Sequence, residues 1–404
     1  MADTAVAIKD TILDKSLTDY VQRARDLVPV LKERAAATEE LRRLLPETEQ
    51  DLHQTGIFRM LQPKRLGGGE LDYVALIDVA EQLARGDAAV AWNATNLGSH
   101  HWMLAMFDEA AQRAVWDENR DALIASSFIF PCGRATRVEG GYRLSGRWPF
   151  SSGVDPSSWN MLAGTVQPAD DTQAPEPRVF LLPKSDYKII DTWFTTGLKG
   201  TGSKDVELED VFVPEHMSLA TREIAGGETP GSTANPGALY KVPVFALFPF
   251  VLSGCALGNA QACLEDFVER TQRRASSYSQ ARLSDFQSVQ IKISEAGARI
   301  DAARRIMRAI CIEAMEDARV GRIPELVEKT RYRRDGAYSV RLCTEAVDIL
   351  FEASGAGGLF SSGHLQRQFR EAHAIKAHIA FSFDAAGSNN GRVELGMPSE
   401  IPNL

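Results

Sequence analysis

Histidine supplies the chemistry most readily read from this sequence. His373 and His378 stand five positions apart in the run Arg370-Glu371-Ala372-His373-Ala374-Ile375-Lys376-Ala377-His378. On a helix that spacing is about 500° of rotation, so the two rings leave different faces and do different jobs. An imidazole has an ordinary pKa of about 6.5 and can take the proton of a phenol or hold a proton beside an oxygen. It is poorly matched to an α-carbon proton, which is far less acidic. A carboxylate for that task is scarce, because Asp384 is the only one between Ala372 and Val393. His378 is therefore a candidate acid–base or orienting group, the plain alternative being a structural histidine on a helix. His373 reads as a packing or interface residue.

His100 and His101 form the other cluster, in Asn96-Leu97-Gly98-Ser99-His100-His101-Trp102. Successive side chains diverge, and no Asp, Glu or Cys spacing completes a ligand set, so no metal site is expected. A dinucleotide fold is equally unsupported, because no Gly-x-Gly-x-x-Gly follows a strand and opens a helix. Gly200-Thr201-Gly202 lies in a β turn, and Gly355-Ala356-Gly357-Gly358 follows a helix. Gly67, Gly68 and Gly69 are turn glycines without a catalytic role.

The elements that must position these groups fall into three blocks. Residues 1–125 read as helical, with Val21, Leu27, Val28 and Leu31 at helical spacing and Pro46 suited to a first turn. Two further helical segments are expected near Tyr73–Arg85 and Asp108–Asp117. Residues 126–235 read as strands, with a hairpin around Gly140-Gly141 and further strands near Asn160–Val166, Val179–Leu182, Tyr187–Thr192 and Val206–Val213. Gln167–Pro177 reads as a surface loop. Helical pattern returns over residues 236–404, near Leu264–Arg274, Phe286–Val320, Pro324–Ser354 and Leu365–Phe381, and suits antiparallel bundle packing. Helices, then strands, then helices predict an α+β fold, mainly α, in separate layers.

Composition narrows the function classes. The chain has 404 residues, 44% hydrophobic and 25% charged, enough for a substantial core. Its 45 Lys and Arg against 54 Asp and Glu give a net charge of −9, which argues against a nucleic-acid partner. Five scattered cysteines without a C-x-x-C pair argue against a disulfide framework and favour a reducing cytoplasm. The N-terminus lacks the basic start and apolar run of a secretory signal. No run of about eighteen apolar residues occurs, so no membrane span is expected. The longest apolar stretch, Val242–Leu252, is interrupted by Pro243 and Pro249.

Several motifs in order resemble the acyl-CoA dehydrogenase fold family over nearly the whole chain. They are Gly56-Ile57-Phe58-Arg59 with Pro63 and Gly67–Gly69, Gly197–Ser203 with Asp210–Pro214, and Phe286-Gln287-Ser288-Val289-Gln290. Within that fold, Gly146-Arg147-Trp148-Pro149-Phe150-Ser151-Ser152-Gly153 and Leu365-Gln366-Arg367 with Phe369-Arg370 resemble a particular branch. This is the oxygenase component of two-component (group D) flavin-dependent aromatic monooxygenases, of the p-hydroxyphenylacetate and 3-hydroxy-9,10-seco-steroid hydroxylating type. The sequence departs from that pattern at Glu371, where an Asp is usual, and at Pro156-Ser157-Ser158, where many relatives carry a His-Cys type pair. The second departure leaves the substrate open.

The resemblance implies an acyl-CoA dehydrogenase-like architecture: an N-terminal helical domain, a central β-barrel-like domain and a C-terminal four-helix bundle. It implies reduced FMN or FAD and O2 as cofactors, a separate NAD(P)H:flavin reductase as transient partner, and an aromatic small-molecule substrate hydroxylated through a flavin C4a-hydroperoxide. A homotetramer is implied as well. His378 falls on the family's proposed base. His100 matches a histidine expected to hydrogen-bond near the flavin, or is a satisfied histidine at a helix start. Ser152 is expected beside the oxygen adduct. Trp148, Ser151 and Ser152, with Trp193 and Ser203 as a second wall, are expected against the flavin ring, whose N5 a rotatable hydroxyl can serve as donor or acceptor. Arg273 or Arg274, with Gly357 and Gly358, is expected at a flavin phosphate shared with a neighbouring subunit. Three rivals remain at this level: an acyl-thioester dehydrogenase holding FAD, an N- or S-oxygenating relative, and a non-catalytic scaffold of the same fold.

Overall fold

Backbone and hydrophobic period change together near residue 124. The computed structural model describes residues 15–168, 174–275, 280–401 and 404. Part of the Gln167–Pro177 loop and all of Met1–Asp10 lie outside the described residues. Five helices come first: α1 (Lys15–Leu41), α2 (Pro46–Gln54), α3 (Ala75–Ala84), α4 (Ala88–Leu104) and α5 (Glu109–Trp116). Pro46 opens α2 as its spacing predicts, because the first turn does not use the missing N–H. The sequence reads this block as helical but delimits no separate helix between Arg85 and Asp108, where α4 lies. Every one of its 17 residues is buried, so no polar face marks a period. Its start is instead held by Asp87, whose side chain accepts from the backbone N–H of Ala89 and Val90.

Eight strands follow: β1 (Ile124–Ser127), β2 (Gly133–Val138), β3 (Gly141–Ser151), β4 (Trp159–Val166), β5 (Glu176–Pro183), β6 (Lys188–Ile190), β7 (Lys204–Pro214) and β8 (Ser218–Ala220). The expected Gly-Gly hairpin is present, with Val138 paired to Gly141. The strands run in the order β6-β7-β3-β2-β4-β5-β8, with β1 parallel to β4. The sheet is open, which corrects the barrel-like expectation. Its ends, β6 and β8, are three-residue strands that do not pair with each other. Along β3 the register to β7 shifts between Leu144 and Gly146 and again between Trp148 and Ser151. Irregularities of this kind re-aim side chains. Here Phe150 takes a left-handed φ of 65°.

Six helices complete the chain: α6 (Val244–Leu247), α7 (Pro249–Arg273), α8 (Gln287–Arg319), α9 (Leu326–Ala353), α10 (His364–Lys376) and α11 (Phe383–Glu394). The helices α7 to α10 pack on one another as the expected four-helix bundle, α11 lies against α9, and α3 lies against α7. The segment Val244–Arg273 is apolar and long enough to cross a membrane, yet 89% of its most apolar stretch is buried inside the protein. It is the central core helix. The expected Leu365–Phe381 helix ends early: α10 stops at Lys376, and His378 takes an extended ψ of 137°. That break, α4 and the β3–β7 end of the sheet converge on one cavity.

Candidate active site

The cavity, of about 500 Å³, is walled by the sheet on one side and by α4, α7 and the end of α10 on the other. Phe128, Phe150, Trp193, Phe248 and Leu252 give it flat apolar walls, and its polar groups come from Ser126, Ser127, Ser152, Ser203, Asn96, Trp92 and His378. No Asp, Glu, Lys or Arg lines it among the described residues.

His378 stands at the break after α10. Its Nδ1 accepts from the backbone N–H of Ala380 at 3.2 Å. Trp92 meets its ring edge-on at 5.5 Å between centroids, and Phe381 and Phe248 lie at 5.8 and 6.1 Å. The ring is partly exposed to the cavity, yet protein surrounds it over the longer range that governs hydration. That desolvation, with the positive charge of Arg333 as the second cause, lowers its pKa to about 4. His378 is therefore neutral at pH 7. An Nδ1 that accepts also puts the ring proton on Nε2. A general base would need a lone pair on Nε2, so the geometry favours an N–H donor over the base expected from the sequence.

Ser152 sits at the centre of a buried hydroxyl chain. Trp92 Nε1 donates to Ser152 Oγ at 3.1 Å. Ser152 Oγ lies 2.7 Å from Ser203 Oγ, which lies 2.6 Å from Thr201 Oγ1. Thr201 Oγ1 in turn donates to the Leu198 carbonyl at 2.8 Å. The Leu198 loop is pinned to α10 from two sides. Its N–H donates to Glu371 Oε2 at 2.9 Å, and a Cβ on Gly197 would lie 2.4 Å from the Arg370 carbonyl oxygen, so only glycine fits. Burial, and then the neighbouring Asp87, raise the Glu371 pKa to about 8. The expected Asp at this position is thus replaced by a longer acid that still reaches the loop.

Four of the expected residues meet in this cavity: His378, Ser152, Ser203 and Trp193, the last donating from Nε1 to the Leu198 carbonyl at 2.9 Å. Three do not line it. Trp148 is fully buried in the sheet core, with Nε1 donating to the Ala163 carbonyl at 2.6 Å, so it is a packing residue and no cofactor wall. Ser151 points to the opposite side and accepts from Asn160 Nδ2 at 3.0 Å. His100 lies in the last turns of α4, not at a helix start. Its Nδ1 is 2.6 Å from the Ile124 carbonyl, and its ring packs edge-on behind Phe128 at 5.9 Å. It braces the wall. Trp92, Asn96 and Phe248 were missed; recognising α4 as a helix would have found the first two.

The remaining expected residues gather in a second hollow of about 440 Å³ at the end of α7. Arg270, Arg273, Arg274, Gly357 and His364 line it; Gly358 does not. Arg270 Nη2 donates to the Gly357 carbonyl at 2.6 Å, and a Cβ on Gly357 would lie 2.7 Å from Arg274 Nη1. Arg273 instead pairs outward with Glu269 at 2.8 Å, its side chain 76% exposed. Arg270 and Arg274 have no carboxylate within ion-pair distance among the described residues, and burial and then mutual repulsion lower the Arg270 pKa. Asp266 and Glu269 line the hollow too, but two guanidinium groups that no acid pairs among the described residues suit an anion. Arg270, one turn before Arg274, is the member that sequence reasoning missed.

A planar ring system between apolar walls, met by one line of hydroxyls, fits the first cavity, and a phosphate fits the second. Asp384, the only carboxylate near the α10 break in sequence, is exposed in the first turn of α11 and does not line the cavity. A thioester dehydrogenase would need an acid there.

Comparison with known proteins agrees with this geometry. Residues 16–117 match the family model "Acyl-CoA dehydrogenase, N-terminal domain", and residues 250–383 match "Acyl-CoA dehydrogenase, C-terminal domain". The chain is 35% identical over 379 residues to the flavin-dependent monooxygenase, oxygenase subunit HsaA, of Rhodococcus jostii (strain RHA1), covering 94% of this chain and 98% of that one. It is 35% identical over 390 residues to the oxygenase component of the FADH(2)-dependent resorcinol hydroxylase of Rhizobium sp. (strain MTP-10005), covering 93% and 94%. The crystal structure of 3-HSA hydroxylase from Rhodococcus sp. RHA1 superposes with a TM-score of 0.90 at 34% identity, covering 96% of this chain and 99% of that one. The chain belongs to the acyl-CoA dehydrogenase fold family, in its branch of flavin-dependent monooxygenase oxygenase components.

Proposed function

We propose that the chain hydroxylates an uncharged aromatic compound, using O2 and reduced FMN or FAD received from a separate NAD(P)H:flavin reductase. One observation carries this reading: a neutral imidazole, His378, faces an apolar cavity at the place where a thioester dehydrogenase needs a carboxylate. Reduced flavin, when bound, supplies the two electrons with which O2 delivers one oxygen atom to the ring, the other leaving as water.

The protein's own residues have three tasks. Phe128, Trp193, Phe248 and Leu252 exclude water, which strengthens every polar contact inside and suppresses loss of the electrons to H2O2. Ser152 and Ser203 meet the polar edge of the cofactor. His378 donates its Nε2 proton as a hydrogen bond to the substrate oxygen, which orients the ring in the cavity. The absence of charged side chains in the cavity among the described residues supports an uncharged substrate, since a carboxylate brought here would be desolvated without a partner. The Arg270–Arg274 hollow would take a flavin phosphate, and by resemblance that flavin is a neighbouring subunit's, in a homotetramer.

The test is a single turnover. Purified protein is mixed with chemically reduced flavin, O2 and a panel of uncharged phenols, and product per flavin is measured. Substantial hydroxylated product supports the reading. Quantitative conversion of the reducing equivalents to H2O2 with every aromatic overturns it.

A further inference from the structure

After β6 the chain leaves the sheet and returns only at β7, and this segment, residues 191–203, carries Trp193, Leu198 and Ser203 into the cavity. Trp193 and Leu198 face inward, and Phe194, its other large apolar side chain, is 72% exposed. The hold on the segment therefore comes from behind, and it is largely charged. Arg42, just past α1, donates to the two Asp191 carboxylate oxygens at 2.8 and 2.7 Å and to the Trp193 carbonyl at 3.2 Å. Lys199 Nζ lies 3.3 Å from Oε1 of Glu39, in the last turn of α1. Arg370 of α10 donates to the Thr196 carbonyl and, through both terminal nitrogens, to Glu39. Arg367 Nε, on the same helix, is 3.4 Å from Glu39 Oε2. One carboxylate thus meets three cations from two elements, with its side chain 17% exposed.

A carboxylate shielded from water holds such cations more firmly than an exposed pair would, because solvent and salt screen it less. Glu39 lines no part of the cavity. Its partners do lead there: Lys199 follows Leu198 directly, Arg370 clasps the carbonyl two residues before Leu198, and α10 ends two residues before His378. We infer that Glu39 is a positioning residue, which fixes the wall made by Trp193 and Leu198 against the helix that presents His378 and so keeps water out of the cavity. This rests on the flavin reading above and adds to it a group that stands outside the cavity. An amide in its place keeps the shape but sets an NH2 group against guanidinium donors, so at least one arm must let go.

The partition of reducing equivalents tests the inference. Under single turnover, with reduced FMN or FAD saturating and an uncharged phenol that the wild type converts, hydroxylated product and H2O2 are both quantified. Glu39→Gln should raise the ratio of H2O2 to product by about threefold to tenfold, the equivalent of one hydrogen bond at the wall. Glu39→Asp, which keeps the charge, should recover part of the loss. Lys199→Met cuts only the arm to the segment and should raise the ratio in the same direction, should Glu39→Gln fail to fold. Asp51→Asn is the control for a merely structural effect. Asp51 pairs with Arg34 of the same helix α1 at 2.6 Å, and neither residue lines the cavity, so this variant should lower Tm and leave the ratio unchanged. A ratio unchanged in both Glu39→Gln and Lys199→Met, or raised as much in Asp51→Asn, overturns the inference and leaves the flavin reading standing. Wild-type protein that forms no product with any phenol overturns both.

Discussion

The backbone N–H of Ala380 donates to Nδ1 of His378 at 3.2 Å, and this one bond decides which proton the imidazole can offer. With Nδ1 accepting, the neutral ring carries its proton on Nε2. His378→Ala should lower hydroxylation by about tenfold, the cost of one hydrogen bond that orients the substrate, with flavin binding nearly unchanged. His378→Gln, which can present an amide N–H, should retain more activity than the alanine variant. Burial first, and Arg333 second, hold the pKa near 4, so this ring contributes no inflection to the single-turnover rate between pH 6 and 8. An inflection near pH 6.5 that His378→Gln abolishes would restore the general-base role.

Glu371 connects the same helix to the cavity wall through Leu198. Its folded-state pKa of about 8 lies above the ordinary carboxylate value of 4.5, because of burial and then the proximity of Asp87. The native state thus binds this proton more tightly than the unfolded chain does. The stabilisation is fully present below about pH 4.5 and is lost as pH rises through 8. Glu371→Gln keeps an oxygen for the Leu198 N–H without the titration. Its stability to unfolding should match the wild type near pH 4.5 and exceed it at pH 9 by on the order of 1 kcal/mol or more, read as a higher Tm. A lower Tm at pH 9 would show that the ionised carboxylate is the stabilising form.

How much of this was visible beforehand differs from element to element. The helices α8 and α9 bury one face and expose another, and Phe286–Val320 and Pro324–Ser354 anticipate them within two residues. The helix α4 has no exposed face, so its period carried no signal and Trp92 was lost with it. Trp148 and Trp193 are one residue type in one block of strands, yet the first packs into the sheet core and the second faces the cavity. Trp148 belongs to β3, whereas Trp193 lies beyond the end of β6, and Ser151 and Ser152 face opposite ways as neighbours along a strand do. Residue spacing does not encode which side of a strand meets a cavity. His378 was legible through motif resemblance, whereas its proton position depends on a backbone turn that only coordinates reveal.

Substrate charge is the next prediction. The cavity contains hydroxyls, an amide, an indole and a neutral imidazole, and no ionised side chain among the described residues. A simple phenol should therefore be turned over with a kcat/KM at least about tenfold above that of the same phenol bearing a carboxylate, since an unpaired buried charge costs well over 1 kcal/mol. Competition between the two compounds in one reaction, with both products quantified, measures the ratio directly. A preference for the carboxylate would mean that a cation reaches the cavity, and Arg333 is the group to suspect. It lies close enough for its charge to act on His378, and its Nη1 now donates to the Phe245 carbonyl at 2.7 Å.

The arginines at the end of α7 separate by geometry into unequal partners. Arg274 stands beside Gly357 and forms no ion pair among the described residues, whereas Arg273 is tied outward to Glu269. If the hollow holds a flavin phosphate, Arg274→Glu should weaken reduced-flavin binding by about tenfold or more, because a charge-assisted contact is replaced by repulsion. Arg273→Ala should change it less than about twofold, as expected of an exposed ion pair. Added salt should weaken the wild type more than the Arg274 variant, since the variant has already lost the screened interaction. If the phosphate belongs to a neighbouring subunit's flavin, dilution that dissociates the assembly should weaken binding about as much as Arg274→Glu does. Sedimentation and flavin binding measured on the same dilution series make the comparison. Equal losses for Arg273→Ala and Arg274→Glu would remove the phosphate role from this hollow. Flavin binding that persists undiminished in a dissociated protomer would place the whole cofactor within one chain.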